Sequence, residues 1–132
     1  MTYSDIQVLV IDDDELIVEF VIAILEGMGV EKIMSANNVS SALDKFTDKN
    51  ARTQLIICDW MMPGMSGLEF LEQVRKVDEN IPFLMLTSKS TQDDVLEAMH
   101  LGVTRYVSKP FDIDRFQQQL KILLDEIRAG VN

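Results

Sequence analysis

The sequence predicts an α/β fold, a doubly wound, five-stranded parallel sheet flanked by five helices. Three observations carry that prediction. Short apolar, β-branched runs alternate with stretches that are apolar at helical spacing, five times over. The clearest run, Leu55-Ile56-Ile57-Cys58, has no polar/apolar alternation, as expected of a strand covered on both faces. Strict β–α alternation with right-handed crossovers then gives a parallel sheet with helices on both sides.

The first strand is Ile6 to Ile11, which runs into Asp12-Asp13-Asp14. Leu16 to Met28 is the first helix, with Ile17, Val21, Ile24 and Met28 on one stripe, Asp14 as its cap and Gly29 as its stop. Val30 to Ala36 is a less apolar second strand, suited to a sheet edge. Asn38 caps the second helix, whose Val39, Ala42, Leu43 and Phe46 face inward and whose Ser40, Asp44, Lys45 and Asp48 face out. Gln54 to Cys58 is the central strand, ending at Asp59 and a Met-Pro-Gly-Met-Ser-Gly turn. Ser66 or Gly67 starts the third helix, with Phe70, Leu71, Val74 and Val77 inward. Ile81 to Leu86 is the fourth strand, with Pro82 at its start, where a missing donor is tolerated. Thr91 and Asp94 form a variant capping box for the fourth helix, which Gly102 ends. Thr104 to Val107 is the fifth strand, closed by Ser108-Lys109-Pro110. Asp112 caps the last helix, with Phe116, Leu120, Leu123, Leu124 and Ile127 inward.

No linker, short repeat or low-complexity segment interrupts residues 1–132, which read as one domain. Twelve Lys+Arg against 22 Asp+Glu give a net charge of −10, so the chain should repel nucleic acid and anionic membrane. A cation, or a basic patch on another protein, is the better partner. The single cysteine, Cys58, allows no internal disulfide and suits a reducing compartment. No run of about 18 apolar residues offers a membrane span, and the first residues lack the pattern of a signal peptide. The expected location is cytoplasmic.

In a parallel sheet all strand C-termini share one edge, where ligands bind. Asp12, Asp13, Asp59, Thr87 and Lys109 therefore converge. Crowded carboxylates repel, and proton sharing, a divalent cation or Lys109 must offset that. A hard cation with oxygen ligands fits best, which means Mg²⁺, with Mn²⁺ able to substitute. One carboxylate stays available as a nucleophile, Thr87 as a hydrogen-bond donor and Lys109 as an anion partner. That set equips the edge for phosphoryl transfer to a carboxylate. Singly, each residue has a plainer role: a strand-end Asp caps helices, a lone Lys is solvated, and Thr is common at strand ends. Capping does not account for the whole set. Asp14 is assigned to capping, His100 to a helix end where positive charge suits the dipole, Cys58 to packing, and Met61, Met62 and Met65 to packing in the loop.

Four stretches now read together: Val8-Leu9-Val10-Ile11-Asp12-Asp13, Asp59-Trp60-Met61-Met62-Pro63-Gly64-Met65-Ser66-Gly67, Leu86-Thr87-Ser88 and Tyr106-Val107-Ser108-Lys109-Pro110-Phe111. They resemble the CheY-like receiver domain of bacterial two-component response regulators, across Ile6 to about Ile127. The resemblance implies a 2-1-3-4-5 strand order. It implies Asp59 as phosphoacceptor, Asp13 as a direct Mg²⁺ ligand, Asp12 as one acting mostly through water, and Asp59 with the Met61 backbone carbonyl completing the set. Thr87 and Lys109 would hold phosphoryl oxygens, Lys109-Pro110 would be cis, and Ser88 would leave room for the phosphoryl group. Tyr106 would be the switch aromatic that follows Thr87 inward. Met61 and Lys89 would tune dephosphorylation. A thioether positions water poorly, so a phosphoryl group more persistent than in the single-domain chemotaxis regulators is expected. The phosphodonor would be a sensor histidine kinase or histidine phosphotransfer protein, docking near Asp14 and Ile17. A downstream protein would bind the surface of the fourth helix, fifth strand and fifth helix, around Lys89, Gln92, His100, Arg105, Gln117, Gln118 and Lys121. Such a domain catalyses only its own phosphorylation and dephosphorylation.

Two other readings compete. Asp12 and Asp14 imitate the Asp-x-Asp of haloacid-dehalogenase-type Mg²⁺-dependent phosphatases, but the chain is short for that fold. A docking module that never takes phosphate is opposed by the joint presence of Asp59, Thr87 and Lys109. Flavodoxin-type flavin binding is excluded by acids, rather than hydroxyls, after the first strand.

Overall fold

The computed structural model describes residues 3–130, and the elements alternate without exception. They are β1 (Gln7–Ile11), α1 (Glu15–Gly27), β2 (Lys32–Ala36), α2 (Val39–Phe46), β3 (Leu55–Cys58), α3 (Gly67–Val77), β4 (Phe83–Thr87), α4 (Gln92–His100), β5 (Arg105–Ser108) and α5 (Ile113–Ala129). The five strands are parallel and ordered β2-β1-β3-β4-β5. Expected boundaries hold to within a residue or two.

Period-two geometry divides the strand residues between two cores. Val8 and Val10, Leu55 and Ile57, and Leu84 and Leu86 join α1 and α5 on one face. Leu9 and Ile11, Ile56 and Cys58, and Phe83 and Met85 join α2, α3 and Ala98 of α4 on the other. This explains the unbroken apolar runs, since neither face of the central strands meets water. Phe116, Leu120, Leu123, Leu124 and Ile127 of α5 are all buried, as the helical spacing required.

Helix ends follow local chemistry. Asp14, Asn38, Ser66, Thr91 and Asp112 each accept a backbone amide from the helix they cap. Both Ser66–Glu69 and Thr91–Asp94 close reciprocal capping boxes, the second with Asp in place of the usual Glu. Gly29 and Gly130 take positive φ where α1 and α5 stop.

Two expected orientations differ. Val77 is not inward but 71% exposed. It is the last residue of α3, and the chain turns away at Asp78, whose carboxylate accepts the amides of Asn80 and Ile81. Lys45 does not lie on a solvated face of α2; its ammonium folds back to donate to the Ser35 carbonyl. Leu25, absent from the expected stripe of α1, is fully buried, one turn beyond Val21 in the core that α1 shares with α5. Among the described residues no helix is long and apolar enough to cross a membrane.

The packing yields a contrast measurable by urea denaturation. Leu120→Ala lowers the unfolding free energy by about 2–5 kcal/mol, as buried Leu truncations do. Val77→Ala changes it by no more than about 0.5 kcal/mol, the range for exposed positions.

Candidate functional site

Asp12 follows β1, Asp59 follows β3, Thr87 ends β4 and Lys109 follows β5, so the topology brings all four to one edge. Backbone bonds continue the ladders past the strand ends. Asp59 donates its amide to Ile11, Asp12 to Ala36, and Lys109 to Thr87 at 2.8 Å. The side chains therefore start from a rigid frame.

Asp12 and Asp59 are buried and Asp13 is exposed. Each offers a carboxylate oxygen, and the three oxygens lie within 4.8 Å of one another. The Lys109 ammonium sits between the two buried acids, 2.8 Å from Asp12 Oδ2 and 3.2 Å from Asp59 Oδ2. Their remaining oxygens are engaged by backbone amides, Asp12 Oδ1 by Asp14 at 2.9 Å and Asp59 Oδ1 by Met61 at 3.2 Å. An all-oxygen cluster with one solvent-facing member suits a hard divalent cation that keeps part of its water.

The electrostatics follow from burial. Desolvation pushes the Asp12 carboxyl above its ordinary range, while the Lys109 ammonium and the Asp14 amide oppose that rise. Desolvation alone would lower Lys109, but the bond to Asp12 and the charge of Asp59 outweigh it and hold the ammonium above the usual lysine value. Lys109 is accordingly a permanent cation here. Burial raises the Cys58 thiol well above its normal range, with Asp59 and Asp12 adding to the effect. Cys58 stays protonated, and its Sγ donates to the Asp59 backbone carbonyl at 3.1 Å, a packing role.

Thr87 is fully buried, and its Oγ1 accepts the Lys89 amide at 3.3 Å. Tyr106 is half-buried and turned inward, its hydroxyl donating to the Lys89 carbonyl. Burial, then Asp94 and Asp59, push that hydroxyl up to about 12, so it stays a donor. Ser88 is exposed and points its Oγ at Met61 Sδ, 3.9 Å away. Lys89, partly exposed, does not bond to the Asp12–Asp59 cluster. Its ammonium lies 4.9 Å over the Trp60 ring and 3.7 Å from Asp94. The Lys109-Pro110 bond is cis.

Sequence reasoning missed two participants. Asp94, read only as part of a cap, also anchors Lys89. Gly67, read only as a helix start, sits directly against the backbone that follows β3. A Cβ there would lie 1.9 Å from the Asp59 carbonyl oxygen and 2.8 Å from its carbon. The Gly67 amide donates to the Trp60 carbonyl at 2.8 Å, so α3 begins pressed onto the backbone that carries Asp59. The Gly in the turn was visible, but the close approach is a tertiary fact.

A profile of the response regulator receiver domain matches residues 8–121. The chain is 32% identical over 120 residues to the chemotaxis protein CheY1 of Helicobacter pylori, covering 89% of this chain and 96% of that one. It is 33% identical over 126 residues to the phosphate regulon transcriptional regulatory protein PhoB of Pseudomonas aeruginosa, covering 93% of this chain but 53% of that longer protein. Among solved structures, the receiver domain of the Francisella response regulator 1452 matches with a TM-score of 0.84 at 29% identity, covering 93% of this chain and 99% of that one. A CheY-like receiver domain protein from Methanospirillum hungatei matches with a TM-score of 0.84 at 26% identity, over 95% and 98% of the two chains.

The approach of α3 to β3 sets an expectation for Gly67→Ala. The added methyl must displace backbone, so urea denaturation should show a loss of at least about 1–3 kcal/mol, the usual cost of overpacking. Trp60 emission should shift with it, because the displaced segment includes that residue. An unchanged midpoint and spectrum would show that α3 can retreat without cost.

Proposed function

The chain belongs to the response regulator receiver domain family, and on that premise we propose that it takes a phosphoryl group onto Asp59 from a phosphohistidine. As a receiver domain it works in two-component phosphorelay signalling. The observation that carries the assignment of Asp59 is its shared cation. One buried ammonium bridges Asp12 and Asp59 while a third carboxylate oxygen lies within 4.8 Å.

The chemistry is a phosphoryl transfer from an imidazole leaving group to a carboxylate nucleophile. The P–N bond of the donor imidazole breaks, and a P–O bond forms to an Asp59 carboxylate oxygen, giving a mixed anhydride. The imidazole leaves with the electron pair and regains a proton from water. The donor set Asp12, Asp13, Asp59 and the Met61 carbonyl would hold Mg²⁺, which when bound supplies charge neutralisation and a template for the transferring oxygens. Lys109 is already hydrogen-bonded to Asp59 and pairs with a phosphoryl oxygen as charge builds there. Asp12 then keeps its other contact, the Asp14 amide. Thr87 accepts from the Lys89 amide, which leaves its own proton for a phosphoryl oxygen. Ser88, small and exposed, leaves the approach open. Lys89, held on Trp60 and Asp94, and Met61, with its weakly accepting sulfur, offer no good anchor for an attacking water. Slow self-hydrolysis is the expected result. Tyr106 links the site to α4 and β5 through the Lys89 carbonyl, so the α4–β5–α5 surface is the proposed output face.

The donor side is proposed to be apolar at its centre. Leu16, Ile17, Phe20, Pro110, Phe111 and Ile113 line a groove of about 530 Å³ beside Lys109. Phe20 and Phe111 meet edge to face at 5.7 Å, and Phe111 packs on buried Phe116 at 5.0 Å, so the patch is braced from below. Exposed Asp13, Asp14 and Glu15 precede Leu16 in the chain, and exposed Asp112 and Asp114 flank Ile113. A sensor kinase or phosphotransfer domain with an apolar ridge flanked by Lys or Arg is the complementary partner.

Incubation with acetyl phosphate and Mg²⁺ should add the mass of one phosphoryl group and change Trp60 fluorescence. Asp59→Asn or excess chelator should abolish both, and labelling of Asp59→Asn would refute the assignment. Leu16→Ala, at a residue 75% exposed, should slow transfer from a phosphorylated phosphotransfer domain at least several-fold. It should leave labelling by acetyl phosphate unchanged; equal loss with both donors would place Leu16 in the chemistry instead of the docking.

A further inference from the structure

We propose that Met61 is a peroxide-sensitive modification site that lowers the phosphoryl occupancy of Asp59, an inference that rests on the acceptor role given above. Three methionines of the described chain are well exposed, Met61 at 55% and Met65 at 42%, against the packing role expected of them from the sequence, and Met99 at 60%. Met99 lies on α4 and Met65 in the turn before α3, whereas Met61 alone is tied to the carboxylates. Its amide donates to Asp59 Oδ1 at 3.2 Å, and its sulfur receives the Ser88 hydroxyl at 3.9 Å. The side chain thus reaches from the loop after β3 to the loop after β4, across the edge that holds Asp59. Trp60, Met62, Pro63, Ser66 and Lys89 share the same open depression, so a small oxidant has direct access to the sulfur.

The reaction is a two-electron oxygen transfer. The thioether sulfur attacks one peroxide oxygen, the O–O bond breaks and an S–O bond forms; the other oxygen leaves as hydroxide and takes the proton of the transferred oxygen, giving water. Sulfur is oxidised and peroxide reduced, with no further reactant. A thiol-dependent sulfoxide reductase would reverse it.

The product changes the site in two ways. A thioether is a weak acceptor, whereas a sulfoxide oxygen is a strong one with a negative dipole end. It would capture the Ser88 hydroxyl, now only loosely held, and tie the two loops together over the acceptor. It also places partial negative charge where an anionic phosphodonor must enter, and provides the anchor for water that the unmodified side chain lacks. Slower phosphorylation and faster hydrolysis both lower the steady-state phosphoprotein.

The test treats the whole chain with hydrogen peroxide, maps sulfoxides by peptide mass spectrometry, removes the oxidant, and measures steady-state labelling by acetyl phosphate and Mg²⁺. The quantity compared is the ratio of treated to untreated labelling for each variant. Wild type and Met99→Leu should both fall at least threefold as sulfoxide accumulates at Met61. Met61→Leu should keep a ratio near one. Met61→Gln, a standing amide acceptor, should hydrolyse its phosphoryl group faster than Met61→Leu without any oxidant. The proposal is overturned if Met61 is not oxidised when Met99 is, if Met61-oxidised protein labels like untreated protein, or if Met61→Leu loses labelling as wild type does. Failure of untreated wild type to label would instead strike the acceptor reading, which keeps the two apart.

Discussion

A single ammonium shared by two buried carboxylates is the interaction on which this site depends. Asp12 and Asp59 come from adjacent strands and are drawn together by the sheet whether or not their charges agree. In a half-desolvated setting two such acids repel by far more than they would in water. Lys109 converts that repulsion into a bound arrangement, and the arrangement in turn keeps Lys109 charged. Removing the cation would strand buried charge, a change that typically costs about 3–5 kcal/mol. The same pairing leaves Asp13 uncommitted and facing solvent. The edge is thus partly neutralised and keeps three carboxylate oxygens within 4.8 Å of one another.

Backbone geometry makes this pairing reproducible. Every carboxylate oxygen that Lys109 does not reach on Asp12 or Asp59 is fixed by an amide two residues downstream. These short turns follow from placing an acid at the last position before a loop, and they orient the side chains without any contribution from the core. The core sets something else, the level of the strands. Apolar residues on both faces fix the sheet register, and Gly67 lets α3 close onto the segment carrying Asp59.

Much of this was legible in the sequence, for identifiable reasons. Unbroken apolar runs such as Leu55–Cys58 specify strands with two covered faces, and strict alternation then specifies the edge where Asp12, Asp59, Thr87 and Lys109 meet. Caps at Asp14, Asn38, Ser66, Thr91 and Asp112 were readable because each is a local interaction between neighbours in the chain. What escaped was tertiary. The place of Lys89 over Trp60 depends on two loops meeting, and its ion pair on where α4 starts. The inward turn of Lys45 depends on a free carbonyl in β2. Val77 continues the apolar stripe of α3 in sequence but lies where that helix has already run out of neighbours. Periodicity reports which face of a helix is apolar, not how far along its length there is something to cover it.

Helix α4 has one fully buried side chain, Ala98, while Leu96 and Met99 stand in solvent. Its Thr91–Asp94 box is internal to the helix, and its ties to the body are Ala98 in the core and the Lys89–Asp94 ion pair. Little apolar area is given up when such a segment rocks or frays, so its opening free energy lies far below that of global unfolding. Amide hydrogens in α4 should therefore exchange ahead of those in β1, β3 and β4. The domain can thus change its outer relief while the two cores on either side of the sheet stay packed.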